Sequence, residues 1–203
     1  MAVTNGYATV AQLRSEMSIP SVSGDANPEL ELAIEAASRA IDEECHRFFY
    51  TQATATARVF RAGVDVWVDA GDFHTTTGLV IETDDNDDGT YETLWTLTDY
   101  QVEPLVPEPG YPWDTIVAVG FRRFPTSGRR GRVKVTARWG WAAVPKQVEQ
   151  ACLILARRLW DRRQTVQGVL GFGEAGFAVR LARTDPDVAR LISPFDARPV
   201  TVA

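Results

Sequence analysis

WGWAAVPKQVEQACLILARRLWDRRQTVQGVLGFGEAGFAVRLARTDPDVARLISPF, residues 139–195, is the stretch whose reading decides the fold. Helical periodicity starts at Val144, with Pro145 in the first turn. Val148, Ala151, Cys152, Leu155 and Leu159 then form one apolar stripe. Leu153, Ile154 and Trp160 widen that stripe, so the helix is contacted on more than one side. A Gly-rich loop follows, and FAVRLAR then alternates like a short strand. Asp185 caps a last short helix with Pro186 at its first position, and Pro194 stops it. Nothing here resembles an active site. The stretch has the make-up of a segment that docks onto other subunits.

Helical periodicity also governs the N-terminal part. Residues 9–18 form a short helix with Thr9 as its cap. A loop broken by Pro20, Gly24 and Pro28 follows. Asn27 caps a longer helix, with Pro28 first, running to about Phe49. Its stripe is Leu30, Ile34, Ala37, Ile41, Cys45 and Phe48. Between residues 55 and 139 the period changes to two. ATARVFRA, VDVWVDA, GLVIETD, TYETLWTL, TIVAVGF and RVKVTARW are short, rich in Val, Thr and aromatics, and bounded by turn residues. NDDG, ending at Gly89, is the strongest hairpin signal. EPLVPEPGYPW, with four prolines, is an irregular loop.

The pattern predicts an α+β chain. Its helical body has two long helices plus short ones, and a small antiparallel β domain, a barrel or sandwich, is inserted in it. Residues 1–54 form the N-terminal part of the body and 55–140 the inserted domain. Residues 141–203 supply the C-terminal helix, strand, short helix and docking tail. Ile34 and Ile41 are expected to pack against Leu155 and Leu159 where the long helices meet.

At 203 residues the chain can bury one core, or one core and a satellite. With 45% hydrophobic and 24% charged residues it has an ordinary globular composition. No apolar run approaches the roughly 20 residues needed to span a bilayer. The first residues lack the pattern of a signal peptide. Cys45 and Cys152 are too few for a disulfide framework and read as buried, reduced thiols. The net charge of −6 conceals a split. Residues 1–50 hold 8 acids and 3 bases, residues 51–120 hold 13 and 2, and residues 121–203 hold 6 and 16. Two arrangements follow from it. Either the oppositely charged parts attract each other within one subunit, or the acidic part of one subunit meets the basic part of its neighbour.

Several motifs mimic ligand sites. GFGEAG, ending at Gly176, spells the dinucleotide fingerprint, but it follows a helix and precedes a strand-like run. That reverses the context in which glycines admit a pyrophosphate. DDNDDG places Asp84, Asn86, Asp88 and Gly89 as a calcium loop would, with Glu92 at the ninth position. The twelfth position, which must supply a bidentate carboxylate, is Trp95. A solvated hairpin turn with no tight calcium binding is expected. Adjacent Cys45 and His46 point about 100° apart on a helix, and His74 and Cys152 have no ligand spacing to them. Cys45 reads as core and His46 as a solvated or capping group. Two histidines assemble no nucleophile–base arrangement. Arginines cluster at Arg157, Arg158, Arg162 and Arg163. A second cluster is Arg122, Arg123, Arg129, Arg130 and Arg132, within FRRFPTSGRRGR. The acidic balance of the chain favours protein interfaces over free DNA as their partner.

The order of these pieces resembles the head–tail connector, or head-to-tail adaptor, proteins of long-tailed bacteriophages and gene-transfer particles. The likeness rests on YATVAQLRSEM and PELELAIEAASRAIDEECHRFF, and on the motif of Trp139, Gly140, Trp141, Val144 and Pro145. It continues through the Arg-rich helix end and the Gly-rich stretch to an ending of Asp185, Pro186, Val188, Leu191, Ile192 and Pro194. Larger members are similar in carrying a β insertion with a DG hairpin, here Asp88 and Gly89, and a segment like Thr98–Tyr100. The resemblance implies a structural virion protein without catalysis or cofactor. Twelve copies would form a ring beneath the portal protein, extend the DNA channel without sequence-specific binding, and present a surface to the stopper and tail. It implies the virion neck as the location and the host cytoplasm during assembly, with no membrane contact. The tail, Pro194, Phe195, Asp196, Ala197, Arg198, Pro199, Val200, Thr201 and Val202, would bind the portal. It reads as apolar, extended and uncapped, able to order on a partner. The two arginine clusters would serve subunit interfaces or the channel. A β-domain module binding carbohydrate or another ligand through exposed Trp67, Trp95, Tyr111 and Trp113 is the alternative.

Overall fold

The computed structural model describes residues 3–19, 28–128, 130–164 and 185–197, with Arg163 and Gln164 by backbone only. The fold is α+β: among the described residues, four α-helices and two small antiparallel sheets. The chain divides into two compact units. One is Met1–Phe48 with Val144–Ala203, and the other is Phe49–Ala143.

The helical unit contains α1 (Val10–Glu16), α2 (Pro28–Cys45), α3 (Lys146–Gln164) and α4 (Pro186–Ile192). Thr9 caps α1 in a reciprocal box. The Gln12 N–H donates to Thr9 Oγ1 at 3.2 Å, and the Thr9 N–H donates to Gln12 Oε1 at 2.7 Å. Asp185 caps α4 by accepting the N–H groups of Asp187 and Val188. α2 stops at Cys45, four residues short of the expected Phe49. His46 takes a left-handed φ of 55°, and the Cys45 carbonyl accepts the Ala197 N–H at 3.0 Å. Phe49 is buried in the other unit, its ring 5.2 Å from that of Trp141.

Leu30, Ile34, Ala37, Ile41 and Cys45 bury the predicted stripe of α2. Val148, Ala151 and Cys152 do so for α3, and Ala156, outside the predicted stripe, is buried with them. Leu155 and Leu159, expected at the centre of the helix pair, are only half-buried. Ala151, Cys152 and Ala156 are buried on α3, with Cys152 Sγ 3.4 Å from the Ser38 hydroxyl of α2, whereas the two leucines line a groove with Val188, Ala189 and Ile192 of α4. The tail departs from the extended reading as well. Ser193–Phe195 forms a 3₁₀ turn, and Phe195 is buried with Val188 and Ile192. FAVRLAR and the Gly-rich loop lie outside the described residues.

The β unit contains β1 (Thr56–Phe60), β2 (Trp67–Phe73), β3 (Val80–Thr83), β4 (Thr93–Leu94), β5 (Tyr100–Glu103), β6 (Trp113–Ala118) and β7 (Val133–Ala137). One sheet has the order β1-β7-β3-β4 and the other β2-β6-β5. Central β7 alternates as half-buried strands do: Val133, Val135 and Ala137 point inward, while Lys134 and Thr136 are half-buried. β5 was absent from the six predicted segments, being four residues ending at the Pro-rich loop. The expected strand over 90–97 shrinks to two residues, because Thr96 turns the chain through bonds to the Asp99 carboxylate. β2 carries a bulge between Asp69 and Phe73, at Gly71 with φ 70°. Both tryptophans of the WGW motif are buried here with their indole N–H groups satisfied. Trp139 donates to the Thr56 carbonyl at 2.8 Å and Trp141 to the Asp72 carboxylate at 3.0 Å.

Candidate interaction surfaces

The arginines predicted to serve interfaces or a channel divide by burial and partner. Arg132 is buried. Its Nε donates to the Asp84 carbonyl at 2.6 Å, and its Nη1 donates to the carbonyl and hydroxyl of Ser127. Because Asp84 begins the acidic loop, the guanidinium acts as an internal clamp on that loop. Arg122 lies 3.1 Å from Asp99 and Arg123 lies 3.6 Å from Asp65. Arg130 is exposed, and its charge helps hold the Asp88 carboxyl below its ordinary pKa, behind the larger effect of the Thr90 N–H. In the helical unit Arg157 approaches Glu16 at 3.6 Å and Asp161 at 3.9 Å. Arg158 approaches Asp185 at 3.6 Å, and Arg162 is exposed on α3. Arg129, the side chain of Arg163 and residues 198–203 lie outside the described residues.

The acidic loop joins β3 to β4. Carboxylate oxygens of Asp84, Asp88 and Glu92 lie within 4.8 Å of one another. Asp84 is buried and accepts the N–H groups of Asp88 at 3.2 Å and Gly89 at 2.8 Å. Asp88 accepts the Thr90 N–H at 2.7 Å, and Glu92 accepts that of Asp85 at 3.1 Å. These bonds shape a turn, as Asx side chains do. Trp95, where a calcium loop needs its closing carboxylate, stacks on Phe124 with ring centroids 4.4 Å apart.

The residues with potential nucleophilic chemistry are not assembled for it. Cys45 and Cys152 are buried and free. Burial, reinforced by the Asp196 charge, pushes the Cys45 thiol up to about 11. Burial raises Cys152 too, against a weaker bond to Ser38. Raised thiols carry little thiolate at neutral pH. His46 is exposed at the end of α2, with Nδ1 3.2 Å from the Glu44 carbonyl.

The four aromatics proposed for ligand binding do not form a platform. Trp95 is 5% exposed, with its indole N–H bonded to Thr83 Oγ1 at 3.1 Å. Trp113 stacks on Phe73, and Tyr111 sits 4.9 Å from the Trp141 ring. Only Trp67, at 46%, presents a large aromatic surface. Three of the four belong to the packing of the β unit, which removes the aromatic basis of the ligand-binding alternative.

Two apolar surfaces escaped the sequence reading. One is a groove of about 230 Å³ in the helical unit. Ile41 of α2, Leu155 and Leu159 of α3, and Val188, Ala189 and Ile192 of α4 line it. The other is an end of the β2-β6-β5 sheet, where Phe121 is fully exposed and Leu97 is 82% exposed. No pattern separates Phe121 from Phe124, which lies three residues later and is buried.

The chain is similar in fold to solved structures of gene transfer agent (GTA) particles. It matches a chain in the neck of an empty GTA particle, computed with C6 symmetry, at 20% identity and a TM-score of 0.61. Matches to the neck of a native particle computed with C12 symmetry and to the virion of a native particle, both at 20% identity, have TM-scores of 0.58 and 0.57. Each covers 100% of this chain and 96% of the other. No protein-family model and no curated protein matches the sequence.

Proposed function

We propose that this chain is a head-to-tail adaptor of a phage-like or gene-transfer particle. Twelve copies form a ring beneath the portal protein, continue the DNA channel and receive the stopper and tail. The observation that carries this reading is similarity to neck-particle chains across the whole length, with both units included. The order of sequence motifs led to the same class independently. A ring needs two different faces per subunit. Raised thiols and scattered histidines fit a protein that performs no catalysis. No helix among the described residues is long and apolar enough to cross a membrane, which fits assembly in the host cytoplasm and residence in the virion neck.

In this reading the portal anchor begins beyond Ala197, at Arg198, Pro199, Val200, Thr201 and Val202, because Phe195 serves the core of its own unit. Arg122, Arg123, Arg129, Arg130, Arg157, Arg158, Arg162 and Arg163 remain the cations offered to neighbours or to DNA passing through. They contact DNA without reading its sequence.

The test is to mix the purified chain with the portal assembly of its own particle and image the product. A closed ring of this chain on the portal is the expected result. Portals that stay bare at saturating concentrations of the chain would refute the adaptor role.

A further inference from the structure

The β2-β6-β5 sheet turns Val68, Ala70 and Ile116 inward, where they are buried. Its register fixes the opposite face. Trp67 pairs with Val117 and Val117 with Gln101, while Asp69 pairs with Thr115 and Thr115 with Glu103. Alternation puts these six side chains on the outward side. Every residue of the β unit except Arg129 is described. The face carries two carboxylates and no base, because the strands WVDAGDF, YQVE and WDTIVA contain neither Lys nor Arg.

Trp67, Glu103, Thr115 and Val117 line an open pocket on this face. The Glu103 carboxylate can only accept, and the Thr115 hydroxyl already donates its proton to Asp114 Oδ1 at 2.8 Å. Asp69, opposite Thr115 in the ladder, adds a second negative charge, with its Oδ1 accepting the Gly71 N–H at 3.0 Å. Trp67 supplies the aromatic wall. The complement is therefore flat, cationic and rich in donors. A guanidinium has five N–H donors and no acceptor, pairs with a carboxylate in its own plane, and lies over an indole. Lysine offers the charge without the flat stacking surface. A neutral sugar also stacks on tryptophan, but it gains nothing from two unopposed negative charges.

The neighbouring cations of the β unit are engaged elsewhere. Arg122 and Arg123 meet Asp99 and Asp65, and Lys134 meets Glu82. We propose that this face binds an arginine side chain presented by a different protein. A second copy carries the same net charge of −6, which opposes its approach to an acidic face. The inference stands apart from the ring reading, since it requires neither the portal nor a ring.

The test uses the full chain labelled with the heavy nitrogen isotope, followed by magnetic resonance at the Trp67 indole N–H and the Val117 amide. The probe is the capped tripeptide Gly-Arg-Gly, with Gly-citrulline-Gly as its uncharged counterpart. At constant ionic strength the arginine peptide should shift both signals saturably. The citrulline peptide should bind roughly tenfold more weakly or worse, having lost the charge that indole and carboxylate both attract. Glu103→Gln should weaken the arginine peptide roughly threefold, the size of one exposed ion pair. Trp67→Ala should abolish the Val117 response while the other indole signals stay in place, which shows an intact fold. No saturable shift, equal binding of the two peptides, or an affinity untouched by Glu103→Gln would overturn the proposal. So would tighter binding of a neutral disaccharide such as maltose, which would make the face a sugar site. Shifts that grow with protein concentration alone would overturn it too, because the occupant would then be a second copy. Ring formation on the portal is read separately, so the two readings fail independently.

Discussion

Arg132 and Arg122 stand ten positions apart in one basic run, yet their environments assign them different work. Arg132 is 5% exposed and holds three acceptors across the base of the acidic loop. Arg132→Ala should cost roughly 1–3 kcal/mol, because it leaves the buried Asp84 carbonyl without its Nε donor. Arg122→Ala should change stability by no more than about 1 kcal/mol. Denaturant midpoints of the two variants check this, and equal losses would contradict the clamp. Cys45 supplies a pH test. Its folded thiol is held at about 11 against an ordinary 9.0. Across that window the unfolded chain loses the proton that the folded chain keeps. Its contribution is thus intact below about pH 9 and lost as pH rises to about 11. Cys45→Ala should flatten that part of the alkaline decline, measured by denaturant titration on both sides of the window. An unchanged decline would show that other groups cause it.

The helices differ in what their apolar positions do. Ile34 and Ile41 are fully buried on α2, so each to Ala should cost roughly 2–5 kcal/mol. Leu155 and Leu159 are half-buried walls of a groove, so their truncation should cost clearly less in melting of the isolated chain. Four equal losses would restore the expected central role of the leucines. The loop between β3 and β4 invites a metal test. Its Asp84 carboxylate already accepts two backbone N–H groups, and Trp95 stands where the closing ligand belongs. Millimolar calcium should leave the melting temperature unchanged, and a rise that vanishes in Asp88→Ala would show a working site.

At the scale of the whole molecule, charges divided along the sequence meet within one unit. The basic run 122–138 belongs to the same unit as the acidic residues before it, and pairs there. Lys134 meets Glu82 at 2.7 Å, Arg122 meets Asp99, and Arg123 meets Asp65. The first of the two arrangements, attraction within a subunit, describes these pairs. The C-terminus supplies the prediction at this scale. A chain ending at Ala197 should melt as the full chain does and fail to attach to the portal. A chain ending at Ile192 removes the buried Phe195 and should lose roughly 3–5 kcal/mol. Equal melting of the two truncations would show that Phe195 is dispensable to the core.

The sequence by itself determined the class of fold, because period is a local property. The stripes of α2 and α3, the caps Thr9 and Asp185, and the switch to alternation near residue 55 are all written in neighbouring residues. The same holds for the turn of DDNDDG, where the Asp84 carboxylate accepts N–H groups four and five residues on. Only the tertiary structure decided which apolar residue is inside. Phe124 is buried where Trp95, 29 positions away, supplies a stacking partner, whereas Phe121 is fully exposed. α2 ends at Cys45 because a carbonyl there meets Ala197 from the far end of the chain. Leu155 and Leu159 line a groove with Val188 and Ile192, more than 25 positions further along the chain. Burial is a sum over contacts distant in sequence, and no pattern along one segment records it.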